Sequence, residues 1–94
     1  MTRIVKFRAE ADDDRFAIWD FLSDRAGIKK ADEMDALFVA VALRAAEAPD
    51  MHRPGRVEGT REAVVTTSYL LIYEASDVEL HVLRVLHTAR QWPR

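Results

Sequence analysis

A segment of eleven residues divides the chain into two parts with different sequence patterns. Residues 49–59, PDMHRPGRVEG, hold two prolines and two glycines, which interrupt helices and central strands alike. Before this segment, apolar residues recur at the three- and four-residue spacing of helices. After it, they occur in short runs rich in β-branched and aromatic residues. The division predicts an α+β domain in which the helices precede most of the strands.

The two parts resolve into the element order β-α-α-β-β-β. A strand is expected at residues 3–8, a helix at 12–26 that ends at Gly27, and a second helix that begins between Lys29 and Asp32 and ends at Pro49. Strands are expected at 60–66, 69–75 and 78–87, the last two joined by a tight turn. The short link between the helices predicts a helical hairpin, packed on one face of a small antiparallel sheet. The last strand is apolar on both sides from Leu83 onward and is therefore expected inside the sheet.

Each helix has its own distribution of apolar residues. The first helix spreads them over well over half of its circumference, which predicts burial against two bodies, such as the second helix and the sheet. The second helix has one stripe for the core, made of Met34, Leu37, Phe38, Val41, Ala45 and Ala48. Val39 and Leu43 lie roughly opposite that stripe. They are interpreted either as a contact with a partner protein or a second copy, or as singly exposed apolar residues.

Length, charge and cysteine content exclude several classes of protein. The 94 residues suit a single domain, so one domain is expected over 1–94. The absence of cysteine excludes disulfides, thiol nucleophiles and cysteine zinc sites, and it fits a reducing cytoplasm. No apolar run approaches the roughly 18 residues that cross a membrane, and residues 1–10 do not form a signal peptide. The net charge of −2 is not that of an ordinary nucleic-acid binder, so any such contact depends on a local arginine cluster.

The familiar catalytic and cofactor motifs are missing. The chain has no glycine-rich phosphate loop, no histidine–glutamate metalloprotease pair and no calcium loop. The four acidic residues Glu10, Asp12, Asp13 and Asp14 resemble a metal cluster, but consecutive carboxylates at a helix start diverge around the axis, and an N-cap explains them. His81 and His87 share a predicted strand face but stand about 20 Å apart, too far for one metal ion. No metal and no cofactor is therefore expected.

Arginines near the strands are the remaining candidates for chemistry. Arg61 and Arg84 are interpreted as structural or partner-facing, with phosphate binding as the alternative. Arg90 lies near the exposed end of the last strand, where target contact and a structural role are both open. His87 could act as a general base, although a histidine at a strand end is more often structural. Trp92 could stack on a target, or it could pack back on its own core.

Three stretches resemble the C-terminal half of ParE toxins of the ParE/RelE toxin–antitoxin superfamily. They are RPGRVEGTREAVV at 53–65, SYLLIYEAS at 68–76 and VELHVLRVLHTARQWP at 78–93, and AIWDFLSDRAG at 17–27 is similar to the family's first helix. The resemblance implies the RelE-like fold and a ParD-like antitoxin that wraps the toxin in a hetero-oligomer, touching DNA only through the antitoxin. It also implies one of two activities. ParE members are poisons of DNA gyrase, and RelE members are ribosome-dependent mRNA endonucleases.

The residues available near the C-terminus favour the gyrase poison. A metal-free nuclease needs cations for the phosphate and a group that moves the 2′-hydroxyl proton. No tyrosine or lysine follows Tyr73, so Arg61, Arg84 and Arg90 could supply charge and only His87 could move a proton. Target contact is instead expected from the tail residues Arg90, Gln91 and Trp92. Two alternatives remain: a RelE-like nuclease, and a degenerate member that binds its antitoxin without toxicity.

Overall fold

The computed structural model describes residues 2–90 and 92–93 and contains the expected elements in the expected order. Strand β1 (Ile4–Phe7) leads into helix α1 (Ala9–Ala26), and Gly27, at φ 94°, turns the chain directly into helix α2 (Ile28–Glu47). One 3-10 turn at Pro49–Met51 and a two-residue strand β2 (Arg53–Pro54) follow. Strands β3 (Arg61–Val64), β4 (Tyr69–Ala75) and β5 (Glu79–His87) complete the sheet.

The five strands form one sheet in the order β1-β5-β4-β3-β2. The interior position predicted for β5 is confirmed. The sheet differs from the expectation in one respect, because it is mixed: β1 runs parallel to β5, with Ile4 beside Glu79 and Phe7 beside Val82. Parallel neighbours need a long connection, and here both helices and three strands lie between the two partners. The other strand pairs are antiparallel, as expected.

A register shift in β5 reverses the face on which its later side chains lie. Ile72 of β4 pairs with Arg84 and Tyr73 pairs with Val82, so Leu83 is the extra residue of a bulge. Val82 and Val85 consequently both face the helices. His81 lies on the opposite face, beside Glu79, whereas His87 lies on the helix side against Tyr69. The expectation that the two histidines share a face is therefore wrong.

Helix α2 supplies the core with small residues on the side that faces the sheet. Phe38, Ala42, Ala45 and Ala46 are fully buried, and the alanines let the helix axis approach the strands closely. The Phe38 ring meets the Tyr69 ring edge to face, with centroids 5.6 Å apart. The predicted core stripe is confirmed except at Leu37, which is 42% exposed.

Helix α1 packs between α2 and β5, but its apolar arc is wider than the surface it buries. Ala11 is its only fully buried residue among those described. Phe16 and Phe21 point outward on opposite flanks, 68% and 50% exposed. Part of the contact between the two helices is polar, because Arg15 of α1 donates two hydrogen bonds of 2.8 Å to Asp35 of α2. The prediction of burial on two sides is right for the helix and wrong for these two phenylalanines.

The loop before β3 is held closed by Thr60. Its backbone carbonyl accepts a 2.8 Å hydrogen bond from the Gly55 N–H, and its hydroxyl donates to the Val57 carbonyl at 2.6 Å. A side chain on Gly55 would collide with Thr60, so the close approach requires glycine. The loop thereby places Arg61 at the start of β3.

Neither helix of the described chain combines the length and the apolar character that a membrane span requires.

Candidate functional site

The carboxylate of Asp14 accepts the hydrogen bonds of the part of the β5 edge that β1 does not cover. Strand β1 covers β5 only as far as Val82, and beyond that point α1 crosses the edge. Asp14 accepts hydrogen bonds from Arg84 Nε at 2.7 Å and Nη2 at 2.9 Å, and from the Val85 N–H at 2.9 Å. The hydrogen bonds to Asp14 raise the pKa of Arg84 above its ordinary value. The guanidinium of Arg84 is therefore engaged within the protein.

Two contacts fix the position of the His87 ring. Its ring meets Tyr69 edge to face at 5.6 Å, and Nδ1 accepts a 3.1 Å hydrogen bond from the Ala89 N–H. A nitrogen that accepts from a backbone N–H carries no proton, so in the neutral ring the proton belongs on Nε2. Nε2 can then donate a proton but cannot accept one.

A compact turn follows β5 and presents Arg90 to solvent. Thr88 ties it down, because its N–H donates to the Ser68 carbonyl and its hydroxyl to the Thr67 carbonyl, both at 2.8 Å. The Arg90 N–H donates to the His87 carbonyl at 2.9 Å. The Arg90 side chain is exposed, and it forms no ion pair with any residue of 2–90 or 92–93.

The two other predicted tail contacts have different outcomes. Trp92 is half-buried and packs, with Leu83, on the cluster of Leu70, Ile72 and Leu86. This cluster covers the face of the sheet that is opposite the helices. Gln91 lies outside the described residues. The described part of the tail therefore combines an exposed cation, Arg90, with a side chain, Trp92, that contacts the protein's own apolar surface.

Arg61 lies at the other end of the sheet from His87. It donates to the His52 carbonyl at 2.7 Å and pairs with Asp50 at 3.4 Å. Arg61 is opposite Tyr73 in the sheet and His87 is opposite Tyr69. Four residues of strand separate these positions by about 14 Å. Arg61 and His87 thus cannot meet on one phosphate.

Tyr73 is a buried phenol near Arg61. Its hydroxyl donates to the Pro49 carbonyl. Burial raises the pKa of Tyr73 above its usual range, which keeps the hydroxyl protonated. The tyrosine is therefore a donor that fastens the 3-10 turn to β4, and it offers no base to the site.

A cavity of about 270 Å³ lies between α1 and the end of β5. Its floor is formed by Ile18, Tyr69 and Val85, its wall by Phe21, and its rim by Arg90. Sequence reasoning had identified Arg90 but missed Asp14 and Phe21 as members of the same region. No local pattern marks the link between Asp14 and Arg84, because 70 residues separate them.

The pair predicted to contact a partner lies elsewhere, on α2. Leu43 is 52% exposed and Val39 is half-buried.

Among the described residues, no three carboxylate or histidine side chains converge in a way that could hold a metal ion.

A charged network occupies the start of β5 on the face away from the helices. Glu79 pairs with Lys6 at 2.6 Å and with His81 Nε2 at 2.9 Å, and His81 Nδ1 accepts from Arg8 Nε at 3.0 Å. The hydrogen bond from Lys6, and then that from His81, lower the pKa of Glu79 to about 2. The network therefore needs an ionised Glu79.

Comparison with known proteins places this geometry in a family. The family model described as "ParE toxin of type II toxin-antitoxin system, parDE" matches residues 5–92. A curated relative named "Putative toxin Y4kP", from Sinorhizobium fredii, is 45% identical over 51 residues. That match covers 52% of this chain and 51% of the relative, so about half of the relative's length is aligned.

Solved structures share the fold at low sequence identity. A chain of the chromosomal ParDE system from P. aeruginosa has a TM-score of 0.80 at 20% identity, covering 92% of this chain and 96% of that one. A chain of the RelBE2 complex from Mycobacterium tuberculosis has a TM-score of 0.70 at 24% identity, with 96% and 95% covered. The E. coli DinJ-YafQ complex gives 0.62 at 18% identity, with 98% and 99% covered.

Proposed function

Because the chain belongs to the ParE toxin family of type II toxin–antitoxin systems, we propose that it inhibits DNA gyrase and that a ParD-like antitoxin neutralises it. In this proposal the protein is not an enzyme. It acts in the cytoplasm by binding its target, and its contact with DNA is indirect, through the antitoxin in a hetero-oligomer. The single observation that carries the choice of target is the dispersal of the residues that a nuclease would need.

A metal-free ribonuclease must bring cations and a proton-moving group together around one phosphate. Here Arg84 is engaged by Asp14, and Arg61 lies about 14 Å along the sheet from His87. Nδ1 of His87 is occupied by the Ala89 N–H, so the ring would have to break that turn before it could accept a proton there. Arg90 is exposed and forms no ion pair within residues 2–90 and 92–93. This arrangement supports a binding surface better than a cleavage site.

The target is tested by two purified assays run side by side. We expect the toxin to inhibit gyrase supercoiling or to trap cleaved DNA, and to leave mRNA on programmed ribosomes intact. Ribosome-dependent cleavage together with unaffected gyrase would reverse the proposal in favour of the RelE-like nuclease. A chain without any effect on growth when expressed alone would instead be a degenerate member that only binds its antitoxin.

The tail is the proposed target contact, carried by Arg90, Gln91 and Trp92. Arg90→Ala removes an exposed charge without opening the core, so we expect gyrase inhibition to fall at least tenfold with an unchanged melting temperature. Arg56→Ala is the matched control, because Arg56 is also an exposed arginine but lies in the loop before β3. Equal toxicity of Arg90→Ala and Arg56→Ala would remove Arg90 from the contact surface.

Val39 and Leu43 are the proposed contact on α2 with the antitoxin or with a second copy of the toxin, and the antitoxin contact is tested first. Leu43→Asp places a charge on a residue that is 52% exposed, so it tests the surface with little cost to the core. Leu37→Asp is the control, since Leu37 is 42% exposed on a different flank of the same helix. We expect antitoxin binding to weaken for Leu43→Asp and, because Val39 is adjacent on the helix, for Val39→Asp as well. Unchanged complex formation by both variants would place the antitoxin elsewhere.

A further inference from the structure

The cavity between α1 and β5 is lined by a large apolar side chain that keeps half of its surface exposed. Phe21 is 50% exposed, and Arg25 stands 4.5 Å from the centre of its ring. The cavity floor is formed by core residues, of which Tyr69 is 8% exposed and Val85 is 1% exposed. A side chain that entered here would touch the core of the protein directly.

The size of this cavity indicates the kind of occupant that fits. Its volume of about 270 Å³ is below the roughly 300–1,000 Å³ that is usual for sites of small-molecule ligands. The cavity is also open to solvent rather than enclosed. It therefore suits one large side chain from another protein rather than a cofactor or a metabolite.

The charges around the cavity indicate which kind of residue should lie next to the entering side chain in the partner protein. Asp14 is neutralised by Arg84, which leaves Arg90 on the rim and Arg25 above the Phe21 ring. Asp20 and Asp24 are exposed on α1, outside the set of residues that line the cavity. A carboxylate of a partner is therefore attracted at the Arg90 end and repelled along the outer surface of α1.

We propose that this cavity receives a large apolar side chain of the antitoxin and that an adjacent antitoxin carboxylate pairs with Arg90. The inference rests on the proposed function, in which an antitoxin neutralises the toxin, and adds a contact site to it. Binding at this position would cover Arg90, the exposed cation of the proposed target contact. Neutralisation would then follow from direct occlusion of the tail.

Phe16 provides a control on the same helix. It is 68% exposed and lines a separate cavity of about 290 Å³, whose other members include Asp12 and Asp35. That rim holds two carboxylates and one arginine, Arg15, which both of them already engage. It therefore disfavours an acidic partner. The two phenylalanines thus lie on the same helix and are both exposed, but they differ in the charges beside them.

The test measures the affinity of the toxin for the purified ParD-like antitoxin of its own operon by titration calorimetry. Phe21→Ser is expected to raise the dissociation constant at least about tenfold, as for a central apolar anchor, and Phe16→Ser to leave it within about twofold. Ala17→Trp fills the cavity from within the chain and is expected to weaken binding similarly, whereas Ala9→Trp, at an exposed position in the first turn of α1, is not. Arg90→Gln is expected to slow association and reduce its dependence on salt.

The outcomes separate the inference from the proposed function. Full affinity in both Phe21→Ser and Ala17→Trp, with unchanged melting temperatures, overturns the cavity assignment alone. Equal losses for Phe16→Ser and Phe21→Ser overturn it too, because the effect is then not specific to this cavity. If the wild-type toxin does not bind the antitoxin, the partnership itself is wrong and the cavity assignment is overturned with it.

Discussion

Removal of the Asp14 carboxylate should destabilise the protein more than its position on a surface helix suggests. Asp14→Ala deletes the acceptor of three hydrogen bonds at once, two from Arg84 and one from the Val85 N–H. It leaves a partly buried guanidinium without its counter-charge and a strand N–H without its acceptor. Asp13→Ala is the matched control, because Asp13 is exposed and has the same intrinsic helix preference.

The size of the effect follows from the burial of the pair. Breaking a fully buried ion pair costs about 3–5 kcal/mol. Here the side chains of Arg84 and Asp14 are 24% and 13% exposed, so water compensates part of the loss and we expect about 2–3 kcal/mol. A domain of this size unfolds with about 5–14 kcal/mol, and each kcal/mol shifts its melting temperature by about 4–8 °C. The predicted decrease is therefore about 10–20 °C.

Urea unfolding of both variants, followed by circular dichroism, measures the difference. A double-mutant cycle with Arg84→Gln isolates the pair, and we expect a coupling of about 1–3 kcal/mol. If Asp14→Ala and Asp13→Ala lie within about 0.5 kcal/mol of each other, the carboxylate does not close the edge of β5 as described. Additive losses in the cycle would show that the two side chains act independently.

Three other variants test separate parts of the structure. Phe38→Ala removes a fully buried ring, and urea unfolding should show a loss of about 3–5 kcal/mol. Glu79→Gln should lower the melting temperature at pH 7 but not near pH 2. The pKa of Glu79 is lowered to about 2, so its stabilisation is present above its unfolded pKa and is lost as the pH falls toward 2. Trp92→Ala should reduce stability measurably, because Trp92 packs on Leu86 and its neighbours, and a melting temperature equal to that of the wild type would contradict this packing.

The order of the elements could be predicted from sequence because it depends on local signals. Gly27 ends α1, Pro49 follows α2, and β4 spans the predicted residues, since its apolar run is bounded by turn residues on both sides. The start of α1 was harder to predict from the sequence. The acidic run 12–14 suggested the start of the helix there, yet the helix begins at Ala9 and Asp14 accepts hydrogen bonds from β5 instead.

The features that were not predicted all depend on distant residues. The parallel pairing of β1 with β5 joins positions that no pattern within either strand connects. The bulge at Leu83 places His87 on the helix side, and a strict two-residue alternation cannot anticipate an extra residue. Helix periodicity could not predict the exposure of Phe16 and Phe21 either. The periodic pattern gives the width of the apolar arc on α1, but it does not give the width of the surface on α2 and β5 against which that arc can pack.

The pairing of β1 with β5 has a consequence for how the protein becomes active. Ile4 lies beside Glu79, so the edge of the sheet forms only after residues far apart in the chain have met, and such long-range contacts slow folding. During synthesis, β1 emerges first and has no strand to join until β5 has left the ribosome. The turn that presents Arg90 follows β5 and is fastened to Ser68 and Thr67. The cavity between α1 and β5 needs the same strand, so a nascent chain acquires the proposed target contact and the proposed antitoxin contact together, only after the whole sheet has formed.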